Sequence, residues 1–423
     1  MSVNSVVREV LKALREVALA FCVRVILWPY SLVTSRNTRL YVVIGREDGR
    51  FLDNAKYFFS WLSSNTSCEC KVVFLTENAD LVSSLGQIGA AALRYPSFSS
   101  LRILLRAGTV VLDSAEGTRS GRIGLLRGAR LVQLWHGVPL KEIELPLHRR
   151  RLASLGPIMR VLVMLHKWVI GRYPRYDIVI STSQFTTEEA FSRCFKSQRF
   201  IAAGYPRNDI LTNAAGYAPA LVALNTDTAT RKRLRKHRED GGKVVLYAPT
   251  FRRDRGSSFL DDFTYLAELS ALALSCKLII ALKLHPVMRG QSYASEYPQI
   301  INIAPESDIY PLLPEVDVMV TDYSSIFFDF LLLDRRIIFY APDYENYMHA
   351  DQSFLLDYHA MTPGPKVSTF RQLLQVLQDS VTSNDDPWQV ERVCLREEIF
   401  DYEDGLASKR IFSALFEEVV SNP

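Results

Sequence analysis

Short apolar runs alternate with helix-like patterns along the chain from Leu40 onward. Runs rich in Val, Ile and Leu are typical of strands covered on both faces, and the segments between them place apolar residues at helical spacing. This alternation predicts α/β units with mainly parallel sheets. Strands are expected at 40–44, 71–75, 109–112, 131–135, 178–181 and 200–203 in a first sheet, and at 244–247, 278–283, 300–303, 316–320 and 336–340 in a second.

Chain length supports a division into two domains. The 423 residues exceed what one hydrophobic core usually holds, and 48% of them are hydrophobic, which is enough apolar surface for two cores. The boundary is expected within 214–242, where the basic run 231–238 is interpreted as a solvated helix face.

The richest polar cluster follows the predicted strand 316–320. Thr321 to Ser325 lead into a predicted helix over 326–333. Because the N-terminal end of a helix favours anions, Ser324 and Ser325 can present hydroxyls and amides to a phosphate. Asp329 lies one turn later on the same predicted face as Ser325, where a carboxylate can accept hydrogen bonds from a ribose. An N-cap serine and a solvated aspartate are the alternative interpretation.

Three other predicted strands also end in polar residues, beginning at His136, at Ala248 and at His285. Ligands of open doubly wound sheets bind outside the carboxyl ends of the strands. Each cluster alone is a weak signal, since a loop histidine usually serves only a local hydrogen bond and a residue before proline must stay extended. Together, the four strand ends predict one nucleotide-type site.

Six motifs occur in a fixed order along the chain: WHGVPLKEI, GYPRNDIL, YAPTFR, LKLHP, TDYSSIFFDF and FDYEDGLASKRI. With the upstream segment REDGRFLDNAKYFFSWL at 46–62, they make the chain resemble the CDP-glycerol glycerophosphotransferase family. That family contains primases and polymerases of wall teichoic acid and related capsule polymerases. The resemblance extends over about 41–412.

The resemblance implies a fold of two Rossmann-like doubly wound α/β domains in a glycosyltransferase-B arrangement, preceded by an N-terminal amphipathic helical segment. We therefore predict membrane-associating helices at 1–36 and an acceptor-side domain at 37–235 with a basic helical insertion at 148–176. The donor-nucleotide domain is predicted at 236–399, and a C-terminal helix at 400–423.

The implied reaction transfers a polyol phosphate, with glycerol phosphate preferred, from CDP-glycerol or another CDP-alcohol to a hydroxyl of a lipid-linked acceptor. A phosphodiester forms and CMP leaves, in the synthesis of a teichoic-acid-like or capsular polymer. No cofactor and no bound metal are expected, and assistance by a divalent cation is left open because no carboxylate cluster demands one.

The family's motifs assign roles to individual residues. His136 is the expected base and His285 the histidine facing it across the cleft, where it contacts the donor phosphates or protonates CMP. For Lys283 a position turned away from the donor, for Asp322 a turn cap and for Lys141 a surface position are open alternatives. The expected donor-binding residues are Thr250, Arg252, Lys283, Asp322, Ser324, Ser325 and Asp329, and the expected acceptor-binding residues are Gly137 and Lys141.

Other motif residues are expected to be structural. Arg207 and Asp209 are interpreted as an interdomain ion pair or part of the cleft wall, and Asp404 as a residue near the start of the last helix. Val138 replaces the threonine that usually follows the family's WHG motif, so acceptor geometry is expected to differ.

Two stretches predict contact with a membrane surface. The segment 3–33 is helical in period with an apolar second half, which Arg24 and Pro29 interrupt before it reaches the length of a spanning helix. The segment 149–175 contains seven Arg and Lys residues and no acid, among Leu, Met and Trp at helical spacing. A buried helical arm is the alternative for both. The net charge is only +4, so the attraction must be local.

The expected location is the cytoplasmic face of the cell membrane, as a peripheral protein without a nucleic-acid partner. The six scattered cysteines fit reduced thiols. Two other functions remain open: a glycosyltransferase or epimerase that uses UDP-sugars on the same architecture, and a non-enzymatic, membrane-associated assembly protein.

Overall fold

The computed structural model describes residues 14, 16–18, 20–23, 28–65, 70–118, 122–212, 216–250, 263–284, 296–349 and 353–421. Their strands form two separate, fully parallel sheets. The two-domain α/β fold predicted from the sequence is thereby confirmed.

The first sheet has seven strands in the order β3-β2-β1-β4-β5-β6-β7. Its central strands are buried over most of their length, as their continuous apolar sequences require. The strands are β1 Asn37–Ile44, β2 Lys71–Thr76, β3 Ala92–Arg94, β4 Ala107–Leu112, β5 Arg130–Gln133, β6 Arg175–Ser181 and β7 Lys196–Ala202.

The second sheet has six strands in the order β10-β9-β8-β11-β12-β13. Both orders are those of a doubly wound sheet, in which the strand order reverses between the first and fourth strands of the unit. The strands are β8 Lys243–Ala248, β9 Leu278–Leu282, β10 Ile300–Asn302, β11 Val318–Thr321, β12 Arg336–Tyr340 and β13 Lys366–Val367.

Helices connect the strands, as parallel pairing requires. The α-helices before the second sheet are α1 Trp28–Val33, α2 Arg46–Gly49, α3 Asp53–Ser64, α4 Ala79–Gln87, α5 Phe98–Arg106, α6 Arg122–Leu125, α7 Glu144–Ala153, α8 Pro157–Val169, α9 Gln184–Thr186, α10 Ser192–Cys194, α11 Asp209–Thr212, α12 Pro219–Ala223 and α13 Thr228–Glu239. Those that follow are α14 Phe263–Ser275, α15 Ile326–Phe330, α16 Tyr344–His349, α17 Phe370–Thr382, α18 Gln389–Ile399 and α19 Ala407–Ser421. Short 3₁₀ turns lie at Ala115–Thr118, Pro206–Asn208, Tyr310–Glu315 and Leu331–Leu333, and a π-helical turn at Thr187–Phe191.

The last helix returns to the first domain. Ile411 and Leu415 of α19 are fully buried among the first-sheet residues Tyr41 and Val43. Asp209 accepts hydrogen bonds from the amides of Ala407 (2.8 Å) and Ser408 (3.0 Å), and so satisfies free donors at the start of α19. Asp209 is therefore a helix cap and not the ion-pair partner of Arg207.

Asp404 lies just before α19, as predicted, where its carboxylate accepts a hydrogen bond from the Leu406 amide and pairs with Arg410. The predicted domain boundaries remain predictions. Of the predicted N-terminal helices at 1–36, the structure describes 14, 16–18, 20–23 and 28–36, which include α1, and their contact with a membrane stays a prediction.

The segment 149–175 forms the end of α7 and the whole of α8, which projects its apolar residues outward. No residue of α8 is buried. Seven large apolar side chains of this helix are 49–77% exposed: Ile158, Met159, Val161, Leu162, Met164, Leu165 and Trp168. The alternative of a buried arm is therefore wrong for this helix. No described helix is both long and apolar enough to cross a membrane.

Candidate active site in the interdomain cleft

A cleft of about 630 Å³ lies between the two sheets, and residues that follow β1 and β5 in the first sheet and β8, β9 and β11 in the second contribute to its lining. Ligands of doubly wound folds bind outside the carboxyl ends of such strands. The lining residues are Arg46, Glu47, Arg50, Leu52, Asp53, His136 and Arg207 from the first domain, and Ala248, Pro249, Lys283, Leu284, Pro305, Glu306, Ser307, Asp308, Ile309, Tyr310, Ser324, Ser325 and Ile326 from the second.

His136 faces this cleft, and a hydrogen bond to one of its ring nitrogens fixes the tautomer of the imidazole. Its Nδ1 lies 2.8 Å from the carbonyl oxygen of Asp113, at the end of β4. A carbonyl only accepts hydrogen bonds, so Nδ1 must carry the proton, and the neutral ring then has its lone pair on Nε2. Burial and the positive charge of Arg46 lower the pKa of His136 to about 4. The imidazole is therefore neutral at pH 7 and able to accept a proton through Nε2.

The chain before His136 turns sharply to place the ring. Trp135 has a left-handed φ of +56°, and its indole stacks on the imidazole at 4.2 Å between ring centroids. The left-handed region is unfavourable for a residue other than glycine, and residues in this conformation concentrate at functional sites. The amide of Asn54 donates to the Trp135 carbonyl (2.8 Å) and stabilises the turn.

An arginine–aspartate–arginine cluster lies beside the histidine. Asp53 contacts Arg46 Nε (3.0 Å) through one carboxylate oxygen and Arg207 Nη1 (3.2 Å) through the other. Burial opposes ionisation of Asp53, but the two arginines outweigh it and hold its pKa below the usual range. Asp53 itself has a left-handed φ of +51°. Two cations and one anion therefore stand next to His136.

Asp113 lies behind this cluster with a fully buried carboxyl group. One of its oxygens accepts a hydrogen bond from the Ala55 amide (3.4 Å), and the other has no hydrogen-bond partner among the residues that the structure describes. Burial, together with the negative charge of Asp53, raises the pKa of Asp113 well above its usual range. The contribution of Asp113 to the site is its backbone carbonyl, which holds Nδ1 of His136.

Ser324 and Ser325 lie on the opposite wall, as the sequence predicted for the strand-to-helix junction. Ser325 occupies the N-cap position of α15, but its side chain makes no capping hydrogen bond. Its hydroxyl points instead towards Gly137, where a Cβ atom would lie 3.0 Å from Ser325 Oγ and 3.4 Å from Arg207 Nη2. The two domains therefore approach each other closely at a residue without a side chain.

Lys283 lies on the cleft wall, and its ammonium group donates hydrogen bonds to backbone carbonyls. Nζ donates to the carbonyls of Ala304 (2.9 Å), Pro305 (3.1 Å) and Ser307 (2.6 Å). Three bonds use all its donors, so Lys283 acts on a ligand through its charge. Burial lowers the pKa of Lys283 to about 8, which leaves it mainly protonated at pH 7.

Asp322 and Thr250 hold two loops together. The fully buried carboxylate of Asp322 accepts the backbone amides of Thr250 (2.8 Å) and Tyr323. This joins the chain after β8 to the chain after β11. The arrangement favours the turn-capping alternative for Asp322 over direct donor binding, and Thr250 contributes its backbone to the same joint.

Asp329 does not reach the cleft surface. Its side chain is 1% exposed, and one oxygen accepts from Arg207 Nη2 (2.6 Å) and from the Tyr310 hydroxyl (2.8 Å). This burial and the pairing of one oxygen do not favour the expected ribose contact, which stays a prediction. Arg207 does form an interdomain ion pair, but its partner is Asp329 and not the predicted Asp209.

Lys141 lies away from the cleft lining, in a short pairing between the domains. It forms an isolated antiparallel bridge with Phe354, and its ammonium lies 5.7 Å from the Tyr347 ring centroid. Neighbouring residues pair as well, since Glu142 N donates to Ser353 O (2.9 Å). Acceptor binding by Lys141 and Gly137 remains a prediction.

His285 and Arg252, two of the predicted site residues, lie outside the described residues, and their roles remain predictions. Sequence reasoning assigned no role in the site to Arg46, Asp53 or Asp113. Arg46 and Asp113 follow the carboxyl ends of β1 and β4, so the rule that singled out His136 was a usable signal for them. For Asp53, no pattern in the sequence indicated its left-handed φ or its place in the site.

A second buried ion pair crosses the same interface. Lys56 of α3 is fully buried, and its Nζ donates to Asp308 (2.7 Å) and to the carbonyls of Val222 and Leu224. The Tyr57 hydroxyl donates to the same Asp308 oxygen (2.6 Å). This pair repeats the pattern of Arg207, Asp329 and Tyr310: one cation, one carboxylate and one phenol.

Known proteins resemble the chain over nearly its whole length. Residues 28–417 match the family of CDP-Glycerol:Poly(glycerophosphate) glycerophosphotransferases. A teichoic acid poly(glycerol phosphate) polymerase of Bacillus spizizenii is 26% identical over 400 residues, which are 89% of this chain and 96% of that protein. A teichoic acid glycerol-phosphate transferase of Staphylococcus aureus is 30% identical over 296 residues, covering 67% of this chain and 70% of the relative. Two ribitol-phosphate polymerases of S. aureus also match.

A solved structure has the same fold. It is a histidine-to-asparagine variant of the wall teichoic acid polymerase TagF soaked with CDPG, and it aligns with a TM-score of 0.71 at 20% identity, covering 100% of this chain and 99% of that one. At this identity, the likeness supports the fold and its two-domain arrangement.

The close approach at Gly137 predicts a steric cost for any side chain there. Gly137→Ala is expected to lower the free energy of unfolding by about 2–4 kcal/mol, because the φ of +148° is strained for an L-residue and the methyl group meets Ser325. Gly89→Ala is the control: its φ is also positive (+81°), but nothing lies within 4 Å. Chemical denaturation of both variants measures the difference, and equal losses would contradict the interdomain contact.

Proposed function

The chain belongs to the CDP-glycerol:poly(glycerophosphate) glycerophosphotransferase family, and on that premise we propose that it transfers glycerol phosphate from CDP-glycerol to a hydroxyl of a lipid-linked acceptor, releasing CMP. It is an enzyme of the teichoic acid transferase type. The observation that carries the finer proposal is a neutral histidine with its lone pair on Nε2, in a cleft that serine hydroxyls of the other domain also line.

In the proposed reaction, Nε2 of His136 accepts the proton of the acceptor hydroxyl while that oxygen attacks the β-phosphorus of the donor. The new P–O bond forms as the bond between the β-phosphorus and the bridging oxygen breaks, and that oxygen leaves on CMP. His136 becomes an imidazolium and later releases its proton. The Asp113 carbonyl keeps the ring in the productive tautomer throughout.

Charge on the cleft walls supports binding of a diphosphate. Arg46 and Lys283 contribute positive charge from the two domains, and Ser324 and Ser325 contribute hydroxyl donors. Phosphoryl transfer depends mainly on positioning and on stabilisation of charge, which these groups can supply. His285 and Arg252 keep their predicted roles at the donor phosphates.

Turnover tests this proposal. Purified protein supplied with CDP-glycerol and a lipid-linked glycerol-phosphate acceptor is expected to release CMP only when both are present. His136→Gln should lower kcat by about 10²–10⁴-fold through loss of the general base, and His285→Ala should also lower it. His237→Gln is the matched control, because that histidine lies on α13 and hydrogen-bonds the Lys277 carbonyl.

Donor choice separates the alternatives in the same assay. CMP release from CDP-ribitol in place of CDP-glycerol would reassign the polyol. No release from either donor, together with thermal protection by UDP-sugars, would overturn the proposal in favour of a sugar transferase or epimerase. Full activity in His136→Gln would exclude His136 as the base.

The pH dependence follows from two shifted groups. kcat/KM is expected to stay level between about pH 5 and 7 and to fall below that, because His136 with a pKa of about 4 becomes protonated. It should fall again above about pH 8, as Lys283 loses its charge and binds the donor less well. The acidic limb of kcat should lie at a higher pH, because bound diphosphate raises the pKa of His136. Steady-state rates across pH 4–10 measure these limbs, and an acidic limb of kcat/KM near 6.5 would contradict the assignment.

We also propose that α8 holds the enzyme at the surface of an anionic membrane, where a lipid-linked acceptor is found. Its seven large apolar side chains that are 49–77% exposed form an apolar patch on the surface. Arg160 and Lys167 on the helix and Arg149 to Arg151 at the end of α7 add positive charge. An apolar face with basic flanks suits the boundary between head groups and acyl chains.

Vesicle binding tests the membrane proposal. Replacing Leu162 and Leu165 by Glu should weaken binding to phosphatidylglycerol vesicles at least about tenfold, because two apolar anchors are replaced by like charges of the lipid. Val390→Glu is the control, since that side chain is 71% exposed on another surface helix, α18. Co-sedimentation measures both variants, and unchanged binding by the double variant would exclude α8 as the anchor.

A further inference from the structure

Arg207 is a buried cation that hydrogen-bonds both halves of the cleft. Its side chain is only 2% exposed. Nη1 donates to the backbone carbonyl of His136 (2.8 Å) and to Asp53 (3.2 Å), and Nη2 donates to Asp329 (2.6 Å) on the second domain. One guanidinium therefore joins the candidate base to the helix that follows Ser324 and Ser325.

We propose that Arg207 is a positioning residue that ties the alignment of His136 to the seating of the donor-binding domain through Asp329. The proposal rests on the proposed function, because it assumes that His136 is the base. It goes beyond that function because it connects the alignment of the base to the position of the domain that binds the donor.

The first-domain side of the link holds two consecutive carbonyls. Arg207 Nη1 binds the carbonyl of His136, while Asn54 Nδ2 binds the carbonyl of Trp135 (2.8 Å). Asn54 is itself tied to Arg207, since its Oδ1 accepts the Arg207 amide (3.2 Å). Arg207 and Asn54, which are hydrogen-bonded to each other, therefore hold both peptide groups of the strained turn that presents the imidazole.

The second-domain side of the link is equally defined. The Asp329 oxygen that binds Arg207 also accepts the Tyr310 hydroxyl (2.8 Å), and the Tyr310 ring lies 4.7 Å from the guanidinium carbon. Asp329 lies on α15, only four residues after Ser325. A shift of this short helix would move the serines and the anchor of Arg207 together.

The planar, forked shape of the guanidinium explains why the residue at position 207 is an arginine. Its two Nη groups point in different directions from one rigid plane, so each can serve a different domain. A lysine ammonium keeps the charge but presents it as a single point, and cannot span His136, Asp53 and Asp329 in the same way. Lysine at 207 therefore separates the effect of geometry from that of charge.

Several charged groups face His136 from the elements around it. Arg46 and Asp53 approach from α2 and α3, Arg207 from the turn after β7, and Asp113, whose pKa is raised by burial, from the end of β4. On the second domain, Lys283 and Asp308 line the same cleft, and Ser324 and Ser325 are uncharged. Arg46 and Arg207 lower the pKa of His136, whereas Asp53 raises it.

The experiment compares Arg207→Lys and Arg207→Gln by kinetics and by NMR of ¹⁵N-labelled histidine, with the His136 signal identified by its absence in His136→Gln. Arg207→Lys is expected to keep the pKa of His136 near the wild-type value but to lower kcat about 10- to 100-fold, with a smaller change in donor KM. Arg207→Gln should raise the pKa of His136, because a nearby positive charge is lost.

Lys56→Gln is the matched control, since it removes the cation of the other buried interdomain pair. It should lose stability as Arg207→Gln does, but its pH profile and its His136 signal should stay those of the wild type. This comparison separates weakening of the interface from misalignment of the base.

Two results would overturn the inference. One is an Arg207→Lys enzyme with wild-type kcat. The other is an equal loss of kcat in Arg207→Lys and Lys56→Gln with an unchanged His136 signal in both. Failure of the proposed function is distinguishable, because the wild-type enzyme would then release no CMP, while the NMR titration would still report whether Arg207 controls the surroundings of His136.

Discussion

The structure depends on two buried ion pairs that cross between its domains, Arg207 with Asp329 and Lys56 with Asp308. Taking such charges out of water costs several kcal/mol per ion, and the cost is repaid only when the geometry is good and further hydrogen bonds satisfy the partners. Further hydrogen bonds support both pairs, since a tyrosine hydroxyl donates to each carboxylate. If the folded domains moved apart, the four charged groups of these pairs would lose their partners across the interface. A single docking of the two sheets is favoured for that reason, and with it a single shape of the cleft.

This docking accounts for features of the cleft that are otherwise unrelated. Gly137 has no room for a side chain because Ser325 of the second domain lies against it. The chain at 140–142 pairs with 353–355 because the sheets are held at that distance. The histidine on one wall and the serines on the other are brought together by neither domain alone. Each wall is therefore built by its own sheet, but the site as a whole is built by the interface.

Sequence reasoning succeeded where the signal was local and failed where it was tertiary. Apolar runs located eleven of the strands within a few residues, but β3 and β13 were missed because they are only three and two residues long. The strand-end rule found His136 and both serines, since the carboxyl ends of parallel strands share one edge. Periodicity also placed Asp329 correctly on the helix, yet it gave no hint that this face is turned towards Arg207, 122 residues away in the chain. Nor did it reveal the left-handed turn at Asp53, which depends on the two arginines that hold it.

The low pKa of His136 is consistent with a base that acts only in the occupied cleft. In the protein alone, burial and Arg46 favour the neutral ring, so the lone pair of Nε2 is available well below pH 7 but binds a proton weakly. A diphosphate beside the arginines would offset their charge, and each unit by which it raised the pKa would stabilise the imidazolium by about 1.4 kcal/mol. On the proposed function, proton acceptance therefore becomes favourable when the donor is bound. Base strength and donor occupancy are coupled through the same arginines, without any movement of the ring.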